Sequence, residues 1–306
     1  MYLINGNGKF KKYKVNEFIN YFTYTKNRFE KLLPELKKSD IYPEKCSYCQ
    51  FCPWLDNCEK TWEDDNYINQ VARINRSQVI KLKKENIGTV EALAKISALK
   101  IKSKINEASK IRLVQQAKLQ EEKRLTGKSR YIFNDTEEGK GFYKMPKENE
   151  GDLFYDIEGF PQSEKRNYEY LHGIYYLNSK NNEYKSFVVK EYTENEEERI
   201  FIDLVNFLKK HFDKYPEAFI YHYNDYEKRA LKDLSNEYSS FFPEGANLVD
   251  KLLRQKKFID LYRVVEQCMQ TTEKDISLKT IEKFYPAERN ADVKTADDSI
   301  RLFEDW

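Results

Sequence analysis

The chain has 306 residues, room for about two domains at roughly 100–200 residues each, and its 40% hydrophobic and 34% charged residues describe a globular protein with a heavily solvated surface. A formal net charge of +2 excludes nucleic-acid binding through overall composition, so any basic footprint must be local. No apolar run approaches the roughly 18 residues of a membrane span, and the start MYLINGNGKFKKYK lacks the apolar stretch of a signal peptide, so a cytoplasmic protein with no membrane partner is expected.

In VNEFINYFTYTKNRFEKLLPEL the apolar and aromatic residues recur at helical spacing, which predicts an amphipathic helix ending near Pro34. Four of the five cysteines follow as Cys46-x2-Cys49-x2-Cys52-x5-Cys58. An extracellular disulfide framework would spread its pairs along the chain. Closely spaced thiolates on one loop suit a [4Fe–4S] cluster instead, with Zn²⁺ as the alternative because soft thiolates bind either. Four unligated thiols so close together would oxidise. The fifth, Cys268 in FIDLYRVVEQCM, reads as a small buried side chain.

Residues 63–125 read as successive helices interrupted at 86–89. Within them ARINRSQVIKLKKENIGTVEALAKI resembles a helix–hairpin–helix element, with Gly88 in the turn and Leu93, Ala94 and Ile96 facing inward. Such a turn aims backbone N–H groups at a phosphate, and Lys83, Lys84 and Lys102 could neutralise others. A helical spacer with solvated lysines is the alternative. Residues 126–150 are polar with interspersed glycines and read as a linker.

The periodicity then changes. LFYDIEG, EYLHGIYYLN and YKSFVVKEY read as three strands, EERIFIDLVNFLKKHF as a helix, FIYHYN as a strand, DYEKRALKDLSNEY as a helix, and FIDLYRVVEQCM as the start of another. The order β-β-β-α-β-α-α predicts an α/β fold with a mixed sheet. In Asp156-Ile157-Glu158 the period of a strand puts both carboxylates on one face, a geometry that can hold Mg²⁺ or Mn²⁺. Taken alone, that pair is more commonly an ordinary solvated face.

Its context carries a resemblance. DLFYDIEGFP followed by EYLHGIYY resembles the first motif of DEDD-type 3′–5′ exonucleases in the RNase H-like superfamily, in the YprB-like branch. FIYHYNDYEKRALKDL resembles the second motif, with Glu227 at the position of its acidic residue and Asn224 beside it. FIDLYRVV and SLKTIEKFYP resemble the later segment, where Asp260 is either a supporting acid or a helix N-terminal charge. Upstream, YPEKCSYCQFCPWLDNCEKTWEDDNYINQVARINRSQ resembles the end of the nuclease domain in a family of RecB-like nucleases that also carry an RNase H-like domain. There Cys49, Cys52, Trp54 and Cys58 match and Cys46 is additional.

The resemblance implies an RNase H-like mixed sheet with flanking helices, preceded by a small α-helical region with a cysteine cluster. It divides the chain into residues 1–62, the tail of a RecB-type nuclease domain; 63–125, the helical module; 126–150, the linker; and 151–306, the exonuclease domain. The family's RecB-type active site would lie before residue 1 and its third exonuclease motif after Trp306, so the chain is expected to be cut at both ends. The implied activity is metal-dependent 3′–5′ phosphodiester hydrolysis in DNA processing or repair with two Mg²⁺ or Mn²⁺ ions. Asp156 is then the ligand shared by both ions, Glu158 and Glu227 are further ligands or water-positioning groups, and Asn224 supports them. The expected partners are DNA, with RNA as the alternative, and a helicase; no small-molecule cofactor is expected. Two other readings stand beside it, a catalytically incomplete nucleic-acid-binding or scaffold fragment and a zinc-stabilised interaction module.

Overall fold

A computed structural model describes residues 2–4, 10–35, 42–160, 167–178, 181–285 and 296–305. The chain divides into two units, Met1–Asp65 and Asn66–Trp306. Among the described residues no helix is long and apolar enough to cross a membrane.

The first unit opens with an antiparallel pair, β1 (Tyr2–Ile4) and β2 (Phe10–Lys12). Helix α1 (Ile19–Leu32) follows and gives way to a 3-10 turn over Leu33–Glu35. This matches the expected end near Pro34, whose ring removes an N–H donor. A second 3-10 turn, Cys49–Phe51, leads into α2 (Leu55–Asp64). There the buried Trp62 donates its Nε1–H to the Pro43 carbonyl at 2.7 Å.

The second unit begins with α3 (Arg76–Lys83), α4 (Val90–Lys95) and α5 (Glu107–Thr126). Each start is capped as its sequence suggests: Asn75 and Gln78 form a capping box, and the side chains of Thr89 and Asn106 accept from Ala92 N and Ser109 N. Leu82, Ile87, Val90 and Leu93 are buried, whereas Ala94 and Ile96 are only half-buried.

The expected linker, residues 126–150, is built into this unit. Within it β3 (Tyr131–Phe133) pairs antiparallel with residues 269–271, and Gly141–Lys144 forms a 3-10 turn. The short β-prone run Tyr-Ile-Phe outweighs its polar surroundings once a partner strand is present. Gly141 sits at φ 54, and a Cβ there would stand 2.9 Å from Cys268 Cβ; Cys268 itself is buried, as its sequence context suggests.

The α/β part runs β4 (Leu153–Phe160), β5 (Tyr168–Asn178), β6 (Asn181–Val188), α6 (Glu194–Lys214), β7 (Ile220–His222), α7 (Tyr226–Glu237), α8 (Pro243–Arg254), β8 (Phe258–Asp260), α9 (Leu261–Cys268), β9 (Met269–Thr271), α10 (Leu278–Glu282) and α11 (Ala296–Asp305). Strands β6-β5-β4-β7-β8 form a five-stranded mixed sheet in that order. The first three are antiparallel, and β7 and β8 run parallel to β4.

The mixed α/β fold is as expected, with α8, β8, β9, α10 and α11 added; the three residues of β8 open what the sequence reads as one helix. Alternation along β4 buries Leu153, Tyr155 and Ile157. They join Ile174 and Ile220 in a core with Ile200, Phe201 and Leu204 of α6 and Leu231 and Leu234 of α7. The other face of β4 carries Phe154, Asp156 and Glu158.

Candidate active site

Asp156 and Glu158 share the face of β4 turned away from this core, with Asp156 exposed and Glu158 half-buried. Cross-strand register sets their neighbours. Phe154 pairs with Tyr175, Asp156 with Gly173 and Glu158 with Leu171 on β5. Tyr175 and Gly173 pair in turn with Tyr184 and Ser186 on β6, and Phe154 pairs with Tyr221 on β7. Directly opposed residues project to the same face, so an aromatic row lies beside the row that contains Asp156. The Phe154 and Tyr221 rings stack at 5.3 Å.

Glu227 comes to the same place from the first turn of α7. Asp156, Glu227, His222, Tyr175, Tyr184 and Phe154 help line one cavity of about 250 Å³. It lies where β4 and β7 run parallel, beside the reversal of direction between β4 and β5, the usual position for a ligand on an α/β sheet. Glu227 is buried, and its Oε2 has no hydrogen-bond partner among the described residues. His222 Nδ1 is 3.6 Å from that oxygen. The same nitrogen lies 2.5 Å from the Asn224 carbonyl, which can only accept, so Nδ1 carries the proton.

Asn224 sits at φ 85, in the left-handed region that asparagine tolerates better than most residues. Its backbone N–H donates to Asp260 Oδ1 at 3.0 Å, and its side-chain oxygen accepts from Asp225 N at 2.9 Å. Asp260 also caps α9, accepting from Arg263 N. These two residues therefore hold the β7–α7 loop and the start of α9, while Asp156 and Glu227 meet at the cavity.

Burial pushes the Glu158 carboxyl above its ordinary range, the charge of Asp156 adds to the shift, and Lys279 of α10 opposes it. Burial also pushes the Tyr184 hydroxyl up, followed by the charges of Asp156 and Glu158. Sequence reasoning did not single out His222, Tyr184 or Lys279. His222 carried the only signal, an ionisable residue at the end of an otherwise apolar and aromatic strand. Lys279 lies inside the quoted SLKTIEKFYP without a role assigned to it, and Tyr184 reaches the site only through strand pairing.

Acidic oxygens are the proper ligands of Mg²⁺ and Mn²⁺, and a buried, unsatisfied carboxylate oxygen on the cavity wall suits a divalent cation. Among the described residues no group of three or more His, Cys, Asp or Glu side chains forms a cluster that could hold a metal ion. This applies equally to the cysteines, of which Cys46 and Cys52 are exposed and Cys49 and Cys58 half-buried. Cys46 Sγ and Cys49 Sγ are 3.9 Å apart. The Cys58 thiol is pushed up by burial and then by Cys52 and Cys49, which places these sulfurs within electrostatic reach of one another.

Lys83 and Lys84 in the α3–α4 hairpin and Lys102 after α4 are all exposed. The Lys83 ammonium is 3.1 Å from the Tyr67 hydroxyl and over its ring, and Glu85 accepts from the backbone of Lys102 and Ser103. Gly88, at the hairpin turn, has open space around it.

The family model described as the RNase H superfamily matches residues 153–306, a span that begins at the first residue of β4. No curated protein and no solved structure matches the chain.

Proposed function

Because the chain belongs to the RNase H superfamily, we propose that it is a metal-dependent nuclease that hydrolyses DNA from a 3′ end, with RNA as the alternative substrate. The observation that carries this reading is the meeting of Asp156 and Glu227 on one cavity with a buried carboxylate oxygen left unsatisfied. The likeness of LFYDIEG and of the strand-to-helix segment around Glu227 to the DEDD motifs of the YprB-like branch supports the 3′–5′ polarity.

Asp156, Glu158 and Glu227 would hold Mg²⁺ or Mn²⁺. Two such ions, when bound, activate a water and stabilise the leaving oxygen of a phosphodiester. The chain's own contribution is to position the substrate. Exposed rings of Phe154 and Tyr175 beside the carboxylates offer stacking surfaces for bases, which bind single strands with little sequence preference. Asn224 and Asp260 keep in place the loop that leads into α7 and Glu227. The α3–α4 hairpin, through the Gly88 turn with Lys83, Lys84 and Lys102, contacts the phosphate backbone. The cysteine segment carries a [4Fe–4S] cluster, with Zn²⁺ as its alternative occupant, and its RecB-like character points to a helicase partner in DNA processing.

The test uses a 5′-labelled single strand with Mg²⁺ or Mn²⁺. The expected product is a ladder that shortens from the 3′ end, and Asp156→Asn should slow it by at least about a hundredfold, the scale of losing several kcal/mol of metal-assisted catalysis. Unimpaired hydrolysis by Asp156→Asn would sink the assignment. Strand binding without hydrolysis by the unaltered chain would favour the nucleic-acid-binding scaffold.

A further inference from the structure

Tyr184 reaches the carboxylate face from the edge strand β6 by an arrangement that depends on a single glycine. Asp156 and Gly173 are register partners, so their Cβ directions lie on one face of the sheet. A Cβ built on Gly173 would stand 2.6 Å from the Tyr184 hydroxyl, 3.1 Å from its Cε2 and 3.2 Å from its Cζ. The ring therefore runs diagonally across the bare backbone of Gly173, and the space that any other residue would fill beside Asp156 is taken by a phenol hydroxyl. Tyr184 is 63% exposed as a residue, yet it lines the same cavity as Asp156 and Glu227.

We infer that the Tyr184 hydroxyl donates a hydrogen bond to the phosphate of a nucleotide held against Asp156 and Glu227, and that Gly173 exists at its position to admit this hydroxyl. The inference rests on the nuclease reading for its substrate. A phenol is protonated at neutral pH and can donate, whereas the carboxylates around it can only accept. A phosphate brought against several acidic side chains needs donors among its neighbours, and Tyr184 is a neutral donor whose hydroxyl reaches over Gly173, the register partner of Asp156. Its place on an edge strand leaves the other side of the ring open to solvent, where a strand can enter.

The experiment combines kinetics with a binding measurement on the full chain. With Mg²⁺ and a single-stranded oligonucleotide, Tyr184→Phe should lower kcat roughly ten- to hundredfold, the scale of one hydrogen bond to a charged group, while KM changes less than about threefold. Gly173→Ala should produce a similar loss by displacing the hydroxyl. The double variant should lose no more than either single variant, because both remove the same contact.

Separately, tyrosine labelled with ¹³C at Cζ gives a resonance identified by its disappearance in Tyr184→Phe. Thymidine 5′-monophosphate with Mg²⁺ should shift it, and Gly173→Ala should abolish the shift. An active enzyme in which Tyr184→Phe retains full kcat, or in which the two losses multiply, overturns the role of Tyr184 and leaves the nuclease reading intact. An inactive enzyme whose Tyr184 resonance still shifts removes the nuclease reading and leaves the phosphate contact standing. No hydrolysis and no shift defeat both.

Discussion

At Gly159 the sheet has no room for a side chain. The register between β4 and β5 slips between Glu158 and Gly159, and a Cβ at Gly159 would lie 2.2 Å from Glu169 Oε2 and 2.3 Å from the Tyr226 hydroxyl. Glu169 is buried, and the Tyr226 hydroxyl, which donates to its carboxylate, is itself bonded by Asn167. Gly159→Ala must force this group apart, so a loss of about 1–3 kcal/mol is expected, read as a lower Tm in thermal unfolding. An unchanged Tm would show that Glu169 and Tyr226 yield without cost. Glu158 precedes this glycine, so the same variant should also disturb the carboxylate face. At this scale Asp156 and Glu158 were legible because a strand's period of two is local. Tyr184 and Lys279 were not, since what brings them to the carboxylates is pairing and packing between segments far apart in sequence.

Among the elements, the long ones were the readable ones. Helices α1 and α6 and strands β4, β5 and β6 carry enough periods to declare themselves, whereas β8 has three residues and merges into α9 without a turn residue. Within residues 126–150 the strand β3 was equally hard to read, because three β-prone residues become a strand only through β9. The [4Fe–4S] cluster proposed for this segment would draw on Cys49 in the turn Cys49–Phe51, Cys52 at the end of that turn and Cys58 in α2. Protein purified anaerobically should accordingly be brown and contain iron and acid-labile sulfide. Substituting Cys49, Cys52 or Cys58 should destabilise this region more than substituting Cys46. Colourless protein with one bound zinc would replace the iron–sulfur proposal by the zinc one, and equal losses at all four positions would make Cys46 a full ligand.

Across the second unit as a whole, stability should depend on acid in two stages. His172 is fully buried beside the Tyr155 hydroxyl, and burial pushes its pKa down to about 3. The folded chain keeps this imidazole neutral while the unfolded chain protonates it near its ordinary pKa of 6.5, so its contribution is complete above that pH and drains as pH falls toward 3. Burial works against ionisation of Glu273, but hydrogen bonds from Lys123 and Ser129 and the charge of Lys123 outweigh it and hold the carboxyl at about 2. Its contribution is complete above the ordinary carboxylate value of 4.5 and drains as pH falls toward 2. Unfolding free energy should therefore start to fall below pH 6.5, by about 1.4 kcal/mol per pH unit for His172, and fall more steeply below pH 4.5. Urea titrations across this range check it, with His172→Gln expected to shrink the upper stage, to which the buried His211 also contributes because burial pushes its pKa down; a curve flat from pH 6.5 to 5 would contradict it.

The bonds that join α5 to the segment around β9 also have a consequence in time. Lys123 meets Glu273 across 150 positions of chain, Gln116 donates to the Thr271 carbonyl, and Arg73 reaches Glu266 across 193 positions. During synthesis the helices of residues 76–126 emerge first and stand without these partners while the sheet is still being made. At roughly 5–20 residues per second, α5 waits for about 8–30 s before Glu273 is added. For that interval the face of α5 that the fold later buries is open and β3 has no partner strand, and a ribosome-bound chaperone has its chance to bind there before the chain closes on itself.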